Sequence, residues 1–218
     1  MSSTETSPEP STRAPVELPD RTSAPLELPD PTSAPLELPE SVRHVAVQWV
    51  DVHGAAKAKI VPRAAWAATA GLGGGAGFAG FANHGFGVGP EHPEFLAMPD
   101  PATLTVLPQR PDLAVAFSTV MDGEQVAACD ARAILARVQA RATGMGLRPV
   151  AGMEPEFFLL REDDHGRLLP FDALDALDKP CYDLKALLRV APVLTAITDA
   201  MEELGWGVSA LDHEDANG

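Results

Sequence analysis

Two glutamates separated by a single proline are the first candidates for chemistry in this sequence. Glu154 and Glu156 belong to the run Glu-Pro-Glu-Phe-Phe-Leu-Leu, and the apolar residues around them predict a strand over 150–160. Side chains on a strand alternate between its faces, so both carboxylates would share one face, with Cα atoms about 6.6 Å apart. The two like charges repel, and a hard divalent cation would remove that cost. A simply hydrated face explains the pair equally well.

A second group of metal-capable side chains lies near residue 218. Asp212, His213, Glu214 and Asp215 are consecutive, after a predicted strand over 206–211 and before Asn-Gly. Alternation along an extended chain allows only some of them to face one way. Without further context, such a polar run is typical of a surface loop.

A glycine pattern, by contrast, is not a nucleotide site. Residues 75–80 match GxGxxG, but an Ala-rich helix is predicted before the match, and Gly85, Gly87, Gly89 and Pro90 follow it. A dinucleotide fingerprint requires a strand before the glycines and a helix after them. Nicotinamide or flavin binding is therefore not expected.

The elements that must position these residues fall into two groups. Residues 41–129 predict a small α+β module, with strands over 42–50, 57–61, 104–107, 113–119 and 125–129, a helix over 62–70 and a glycine-rich loop. Residues 130–218 predict the opening of an α/β unit. Asp130 caps its first helix, and a second helix over 184–204 is interrupted or restarts at Pro192.

The first 40 residues form a separate region. Residues 11–20, 21–30 and 31–40 repeat one decamer, and residues 1–40 hold 9 of the 21 prolines, 8 acids, 2 bases and no aromatic residue. Such a composition cannot bury a core, so a disordered, partly polyproline II tail is predicted over 1–40. The repeat is either a docking arm for a partner or a solvated tandem duplication.

Composition excludes several classes of protein. The 218 residues carry a formal net charge of −15 and are 45% hydrophobic. An acidic chain without a basic stripe is a poor partner for nucleic acid. No run of 18 apolar residues is present to span a membrane, and the N-terminus lacks the features of a signal peptide. Cys129 and Cys181 have no metal-ligand spacing. Two reduced cysteines in a cytoplasmic protein are therefore expected.

Taken in order, these motifs resemble the glutamine synthetase family over residues 42–218. Residues 152–159, Gly-Met-Glu-Pro-Glu-Phe-Phe-Leu, are similar to the family's metal-binding strand GxEPEFFLF, and residues 213–218 to its HE…GQ segment. Residues 98–101 resemble the stretch before the domain boundary, and residues 130–132 stand where the family has Asp-Pro-Arg. The sequence of residues 212–218, Asp-His-Glu-Asp-Ala-Asn-Gly, is most similar to the type III branch of the family. This branch includes enzymes that make γ-glutamylmethylamide.

The resemblance implies a fold and a reaction. A β-grasp-like N-terminal domain over 41–129 would precede an incomplete start of the catalytic domain over 130–218. The family is an ATP-dependent ligase. It phosphorylates the γ-carboxylate of glutamate, and ammonia or a small amine such as methylamine then attacks. Two Mg²⁺ or Mn²⁺ ions assist: Glu154 would serve the ion near the phosphates, and Glu156 and Glu214 the ion near the substrate. His213 is not assigned as a ligand, catalytic and nucleotide-binding residues are unassigned, and full-length members form homo-oligomeric rings.

Two departures from the family pattern qualify this expectation. An Asp that helps bind and deprotonate ammonium is replaced, in residues 78–82, by Ala79, which favours a neutral or larger amine. The sequence also stops at Gly218, before other family ligands, so we expect a truncated ligase that is inactive alone. The alternatives are a non-catalytic fragment that binds full-length subunits and a degenerate product.

Overall fold

The computed structural model describes residues 37–218, so the tail predicted for residues 1–36 lies outside the described residues. The described chain is a mixed α/β structure dominated by one sheet. Its first seven strands are β1 His44–Val50, β2 Ala56–Pro62, β3 Ala76–Phe78, β4 Phe95–Pro99, β5 Thr105–Leu107, β6 Arg110–Asp122 and β7 Gln125–Val126. One helix, α1 Arg63–Ala70, follows β2.

The long strand β6 organises this sheet. The strand order is β2-β1-β6-β4-β3, and β5 and β7 also pair with β6. The β1–β6 pair is parallel, whereas β1–β2, β4–β6 and β3–β4 are antiparallel. With 13 residues, β6 is long enough to pair with different neighbours at its two ends.

The predicted first hairpin is confirmed. Val45, Val47 and Trp49 alternate along β1 with exposed or half-exposed residues and are at most 4% exposed. They pack with Trp66 of α1 and with Phe78 and Phe95 in one hydrophobic core. The rings of Trp49 and Phe78 stack with centroids 4.2 Å apart. Such a stack adds specific aromatic contact to the burial of apolar area.

The middle of the domain differs from the sequence-based expectation. Strands β3 and β4 were not predicted, because β3 has only three residues and lies inside the glycine-rich loop. Strand β7 is shorter than the predicted 125–129. Pro62 is the N-cap of α1 rather than its first residue, and Gly71 ends the helix in an extended conformation, with φ −75°.

The second half begins with a helix whose N-terminus is fixed to the sheet. Helix α2 spans Ala131–Gly144, as predicted, and Asp130 caps it by accepting a hydrogen bond from the Ala133 amide at 2.9 Å. The same carboxylate accepts a bond from the amide of Val120 in β6 at 3.3 Å. Arg132 pairs with Asp100 at 3.6 Å and lies over the ring of Phe117. The start of α2 and the sheet are therefore joined by both backbone and side-chain contacts.

Beyond α2, the predicted strands are absent from the described residues. Residues 150–159 and 206–211 pair with no other strand, and the ordered elements are the hairpin β8 Leu160–Glu162 with β9 Leu168–Pro170 and the helix α3 Leu184–Glu203. An extended segment becomes a strand only where a neighbour accepts and donates its backbone hydrogen bonds. Met153 and Phe157, which a strand would place on the face opposite to the two glutamates, are 86% and 50% exposed.

The predicted break at Pro192 is also wrong. Helix α3 runs from Leu184 to Glu203 without interruption and contains Pro192. Proline removes one helical hydrogen bond, that to the carbonyl of Leu188. Leu188 is 62% exposed, so water can take the place of the missing donor. The helix therefore loses one bond without leaving a buried carbonyl unpaired.

Both long helices expose apolar side chains. On α2, the apolar positions predicted to share one face are between 41% and 58% exposed: Ile134, Leu135 and Val138. On α3, Leu184, Leu188, Val193 and Ile197 are between 38% and 63% exposed. The helices are amphipathic as predicted, but nothing among the described residues covers their apolar faces.

The boundary between tail and domain lies earlier than residue 40. Leu38 is 9% exposed and belongs to the hydrophobic core of the sheet domain. The Arg63 guanidinium donates hydrogen bonds to the carbonyls of Leu38, Pro39 and Val42. Residues 37–40, predicted as the end of a disordered tail, are therefore part of the folded domain.

The turn between β1 and β2 generates a prediction about acid stability. Asp51, 2% exposed, accepts hydrogen bonds from the amides of His53 and Ala55, and Lys57 lies 3.6 Å away. Burial raises the pKa of Asp51, but the two amides and Lys57 outweigh it, so the pKa lies below its ordinary value. A lowered folded pKa contributes stability above the unfolded pKa of about 3.9, and this stability is lost as the pH falls through the folded value.

We therefore expect Asp51→Asn to lower the thermal midpoint at pH 7 by about 5 °C. The difference between variant and parent should shrink as the pH falls below about 3.9, because the unfolded parent then binds the proton of Asp51 before the folded parent does. Thermal unfolding followed by circular dichroism at several pH values measures this. Glu124→Gln, at an exposed turn residue, is the control. A pH-independent difference would contradict the prediction.

Candidate functional site

A buried carboxylate, Asp175, holds together the segment that contains the second predicted motif. Asp175 is 7% exposed. It accepts hydrogen bonds from the Gly218 amide at 2.8 Å and from Asn217 Nδ2 at 3.2 Å, and it lies 3.0 Å from His213 Nε2. The loop 213–218 therefore surrounds the carboxylate of Asp175. The polar groups near its two ends, on His213, Asn217 and Gly218, point toward this carboxylate.

His213 is the second half of this arrangement. Its Nδ1 lies 2.9 Å from the Glu214 carbonyl, and its own carbonyl accepts a bond from the Tyr182 amide at 2.8 Å. Burial lowers the pKa of His213, but the Glu214 carbonyl and the Asp175 carboxylate outweigh it, so the pKa is raised. Both ring nitrogens face acceptors, as the protonated ring requires. His213 thus joins the loop 213–218 both to Asp175 and to the segment that contains Tyr182.

The polar neighbours of His213 face away from Asp175. Glu214 and Asp215 are exposed, and with Cys181 they form a group whose potential ligand atoms all lie within 4.8 Å of one another. Burial, and then the hydrogen bond to Asp215, raise the pKa of the Cys181 thiol. The thiol is therefore protonated at neutral pH, and the oxygen donors carry the charge of this cluster.

Glu154 and Glu156 occupy a different part of the surface. Both are exposed and lie in the unpaired extended segment. Among residues 37–218, they do not share a compact group of ligand atoms with Glu214. The structure therefore does not assemble the three predicted metal ligands into one centre.

The two motif segments nevertheless meet at their ends. A Cβ placed on Gly218 would lie 3.1 Å from Phe158 Cδ1 and 3.8 Å from the carbonyl oxygen of Leu159. The Leu159 carbonyl also accepts a hydrogen bond from the amide of Phe171 at 2.8 Å. The end of the 154–159 segment is thus anchored beside the loop that carries Glu214.

The loop that carries Ala79 is fixed by the aromatic core. Asn83 donates from Nδ2 to the Ala79 carbonyl at 3.1 Å and accepts from Trp49 Nε1 at 3.2 Å. Phe78, next to Ala79, packs against Phe86 and Phe95. The position where the family has an acid is therefore rigidly held, and its methyl side chain offers no group for a cation.

Sequence reasoning missed Asp175. It occurs in Phe-Asp-Ala-Leu-Asp-Ala-Leu-Asp, where Asp172, Asp175 and Asp178 are evenly spaced. Asp172 pairs with Arg189, and Asp178 is exposed. Nothing local distinguishes the three, because the partners of Asp175 lie about 40 residues later.

Comparison with known proteins places these features in a family. Residues 128–218 match the model of the glutamine synthetase catalytic domain. A glutamine synthetase of Rhizobium meliloti is 41% identical over 180 residues, which are 82% of this chain and 40% of the relative. The glutamate–methylamine ligase of Methyloversatilis universalis is 38% identical over 178 residues, 81% of this chain and 40% of the relative.

Solved structures agree. A GmaS–ADP complex superposes with a TM-score of 0.69 at 33% identity, covering 82% of this chain and 40% of that one. A sheet-dominated domain thus precedes a segment that is similar to part of a synthetase catalytic domain. The chain belongs to the glutamine synthetase family, which confirms the resemblance found in its motifs. It spans about 40% of the length of these relatives.

Two further findings concern the expectations about membrane spans and cysteines. Within the described residues, no helix is long and apolar enough to cross a bilayer. Both cysteines, Cys129 and Cys181, are free thiols.

The Asp175 arrangement predicts a local loss of order on mutation. Asp175→Asn keeps the size of the side chain but removes the charge that the loop 213–218 surrounds. Charge-assisted hydrogen bonds are the stronger class, so we expect the loop to open about tenfold more often, equivalent to about 1.4 kcal/mol. Hydrogen exchange of the Tyr182 amide, which bonds to His213, reports this opening. Asp178→Asn is the matched control, and equal exchange in both variants would refute the role of Asp175.

Proposed function

We propose that this chain contributes part of the divalent-metal centre of an ATP-dependent ligase that joins glutamate to ammonia or a small amine. Support comes from the match of residues 128–218 to the glutamine synthetase catalytic domain and from the activities for which the relatives are named. The observation that carries the proposal is the meeting of the two acidic motif segments at Gly218 and Phe158.

The donor set fits Mg²⁺ or Mn²⁺. Glu154, Glu156 and Glu214 offer hard oxygen ligands, which these ions prefer. Within residues 37–218, none of the three carboxylates is engaged in a side-chain hydrogen bond or an ion pair with a basic residue, and all three are exposed. They are therefore free to bind a cation without breaking an existing contact. We assign Glu154 to the ion near the phosphates and Glu156 and Glu214 to the ion near the substrate.

Strand formation is the step that would bring the carboxylates into register. We infer that residues 150–159 become a strand when they pair with other strands of a catalytic domain, of the kind present in the longer relatives. Pairing would turn Glu154 and Glu156 to one face and would bury Met153 and Phe157 on the other. The large exposure of these two apolar residues is consistent with a surface that a partner covers.

In the proposed reaction, ATP phosphorylates the γ-carboxylate of glutamate. The amine nitrogen then attacks the acyl carbon, and phosphate leaves. Divalent ions supply charge neutralisation at the phosphate and carboxylate oxygens when bound. The residues of this chain hold those ions and so place two reacting anions near each other. Without the cations, Glu154 and Glu156 would repel both substrates.

The choice of amine is proposed from Ala79. Ammonium and methylammonium must both lose a proton to a base elsewhere, because the methyl side chain of Ala79 offers none. Alanine is also smaller than aspartate, so it leaves more room for the methyl group of a substituted amine. The rigid loop around Ala79 leaves no other residue of 78–82 with a charged side chain. We therefore favour methylamine or a similar small amine over ammonia.

The sheet domain would serve an assembly. We propose that it is the family's β-grasp module, which completes the active site of a neighbouring subunit in a homo-oligomeric ring. The exposed apolar faces of α2 and α3 also support a second candidate function, in which the chain is a non-catalytic partner of longer subunits of the same family.

A chimera tests the proposed activity. Residues 37–218 of this chain replace the matched 40% of the Rhizobium meliloti relative, so that the remainder of a catalytic domain is present. We expect ATP-dependent γ-glutamyl amide formation, with a higher kcat/KM for methylamine than for ammonia. Ala79→Asp should shift the ratio toward ammonia by about tenfold, or about 1.4 kcal/mol, because the larger side chain leaves less room for the methyl group of methylamine. A folded chimera without ligase activity, assayed beside the parent relative, would refute the proposal.

The carboxylates make a separate prediction in the same chimera. Glu156→Gln should lower kcat/KM by about 100-fold or more, and in metal-free buffer it should hold or raise the thermal midpoint, since one repulsive charge is gone. Glu154→Gln should act similarly but mainly raise the KM for ATP. Glu162→Gln, an exposed glutamate of β8, is the matched control. A thermal shift with Mn²⁺ that is unchanged in both variants would remove these residues from the centre.

A further inference from the structure

The last four residues of the N-terminal repeat occupy a defined site on the sheet domain. Glu37-Leu38-Pro39-Glu40 ends the third decamer, and Leu38 is buried in the core cluster of the domain. The guanidinium of Arg63 contacts the carbonyls of Leu38 at 2.8 Å, Pro39 at 2.6 Å and Val42 at 2.7 Å. A side chain in the core and three carbonyls on one arginine make a peptide-binding site.

The contacts explain what this site recognises. Arg63 binds backbone carbonyls, which every sequence possesses, so selectivity must come from the side chains of the bound segment. Leu38 supplies the buried apolar group, and Pro39 restricts the backbone next to it. Glu40 lines a cavity of about 420 Å³ together with Arg43, His44 and Arg63, so an acid at this position lies near two arginines. The recognised element is thus leucine, proline and an acid, in that order.

The same element occurs twice more upstream. Residues 17–20 and 27–30 are both Glu-Leu-Pro-Asp, with Leu18 and Leu28 at the position of Leu38. We propose that the Arg63 site is a docking site for the Leu-Pro-acid element and that the two upstream copies of this chain are its alternative occupants. The third copy is the normal occupant, because the Val42 amide bonds to the Pro39 carbonyl at 3.1 Å and closes the turn directly into β1.

Exchange between copies requires only that the residues between the docked copy and β1 form a loop. If Leu28 replaced Leu38, residues 31–41 would form a loop between the docked Asp30 and Val42. The entropic cost of closing a loop grows only slowly with its length. A tethered copy also acts at an effective concentration in the millimolar range, so even a weak site would be filled. The repeat therefore supplies three copies of the Leu-Pro-acid element, and each of them can dock at the Arg63 site.

Proteolysis identifies which copy is docked. A glutamyl endopeptidase cleaves after Glu17, Glu27 and Glu37, and a docked copy resists cleavage because the protease requires an unfolded segment. In the full chain, the Glu37–Leu38 bond should be protected. In Leu38→Ala, the Glu37 bond should be cut rapidly, and the Glu27–Leu28 bond should be cut about fivefold more slowly than in the parent. Mass spectrometry of early fragments measures the three rates.

The outcomes are separated by matched variants. Leu18→Ala/Leu28→Ala should behave as the parent, and Leu38→Ala should have a higher thermal midpoint than the triple variant with all three leucines replaced. Arg63→Lys in the Leu38→Ala background should abolish the protection at Glu27. Equal cleavage at Glu27 in the parent and in Leu38→Ala, or equal midpoints of Leu38→Ala and the triple variant, would overturn the proposal. Protection that increases with protein concentration would also overturn it, since another molecule would then fill the site.

Discussion

Pairing of backbone hydrogen bonds is the constraint on which the structure of this chain depends. An N–H or C=O that leaves water must find a partner, and β6 supplies partners to four other strands. Around it, even the three-residue strand β3, Ala-Gly-Phe, becomes ordered although its sequence is weakly β-forming. The 150–159 segment has stronger strand character but no neighbour, and it remains unpaired. The difference between the two halves of the chain is therefore the availability of a partner, since hydrophobic alternation is present in both.

Aspartates that accept backbone amides are the second recurring device. Asp51 closes the first hairpin, Asp130 and Asp183 cap the two long helices, Asp163 closes the β8–β9 turn, and Asp175 holds the loop 213–218. Each carboxylate replaces the partners that a turn or a helix end lacks. Part of the acidic excess of the chain thus has a structural use. Glu154, Glu156 and Glu214, which the family pattern assigns to metal, are among the described acids that accept no such bond.

Sequence patterns predicted correctly those elements that are determined by residues close together in the chain. The Asp130 cap, the amphipathic α2 and the β1–β2 hairpin follow from residues within one or two turns of each other, and all were predicted. Strands β3 and β4 and the position of Leu38 depend on distant contacts, as does Asp175, whose partners are His213, Asn217 and Gly218. The wrong strand predictions at 150–159 and 206–211 have the same origin, because period-two alternation describes a surface that could be paired without indicating whether it is. The family was accessible because its motifs are long and ordered, whereas the assignment of Glu154, Glu156 and Glu214 to one centre stays a prediction.

The double use of Asp130 has a mechanical consequence. One carboxylate binds the first turn of α2 and the amide of Val120, and Arg132 in the same turn contacts Asp100 and Phe117, so the helix is attached to the sheet domain at its first turn. Fourteen residues at 1.5 Å each make α2 a lever of about 21 Å. A rotation of about 5° at this attachment displaces the far end by about 2 Å, which is the length of a metal–oxygen bond. The position of residues 145–218 relative to the sheet domain, including that of Glu154 and Glu156, therefore depends on how stiffly the N-terminal cap of α2 is held.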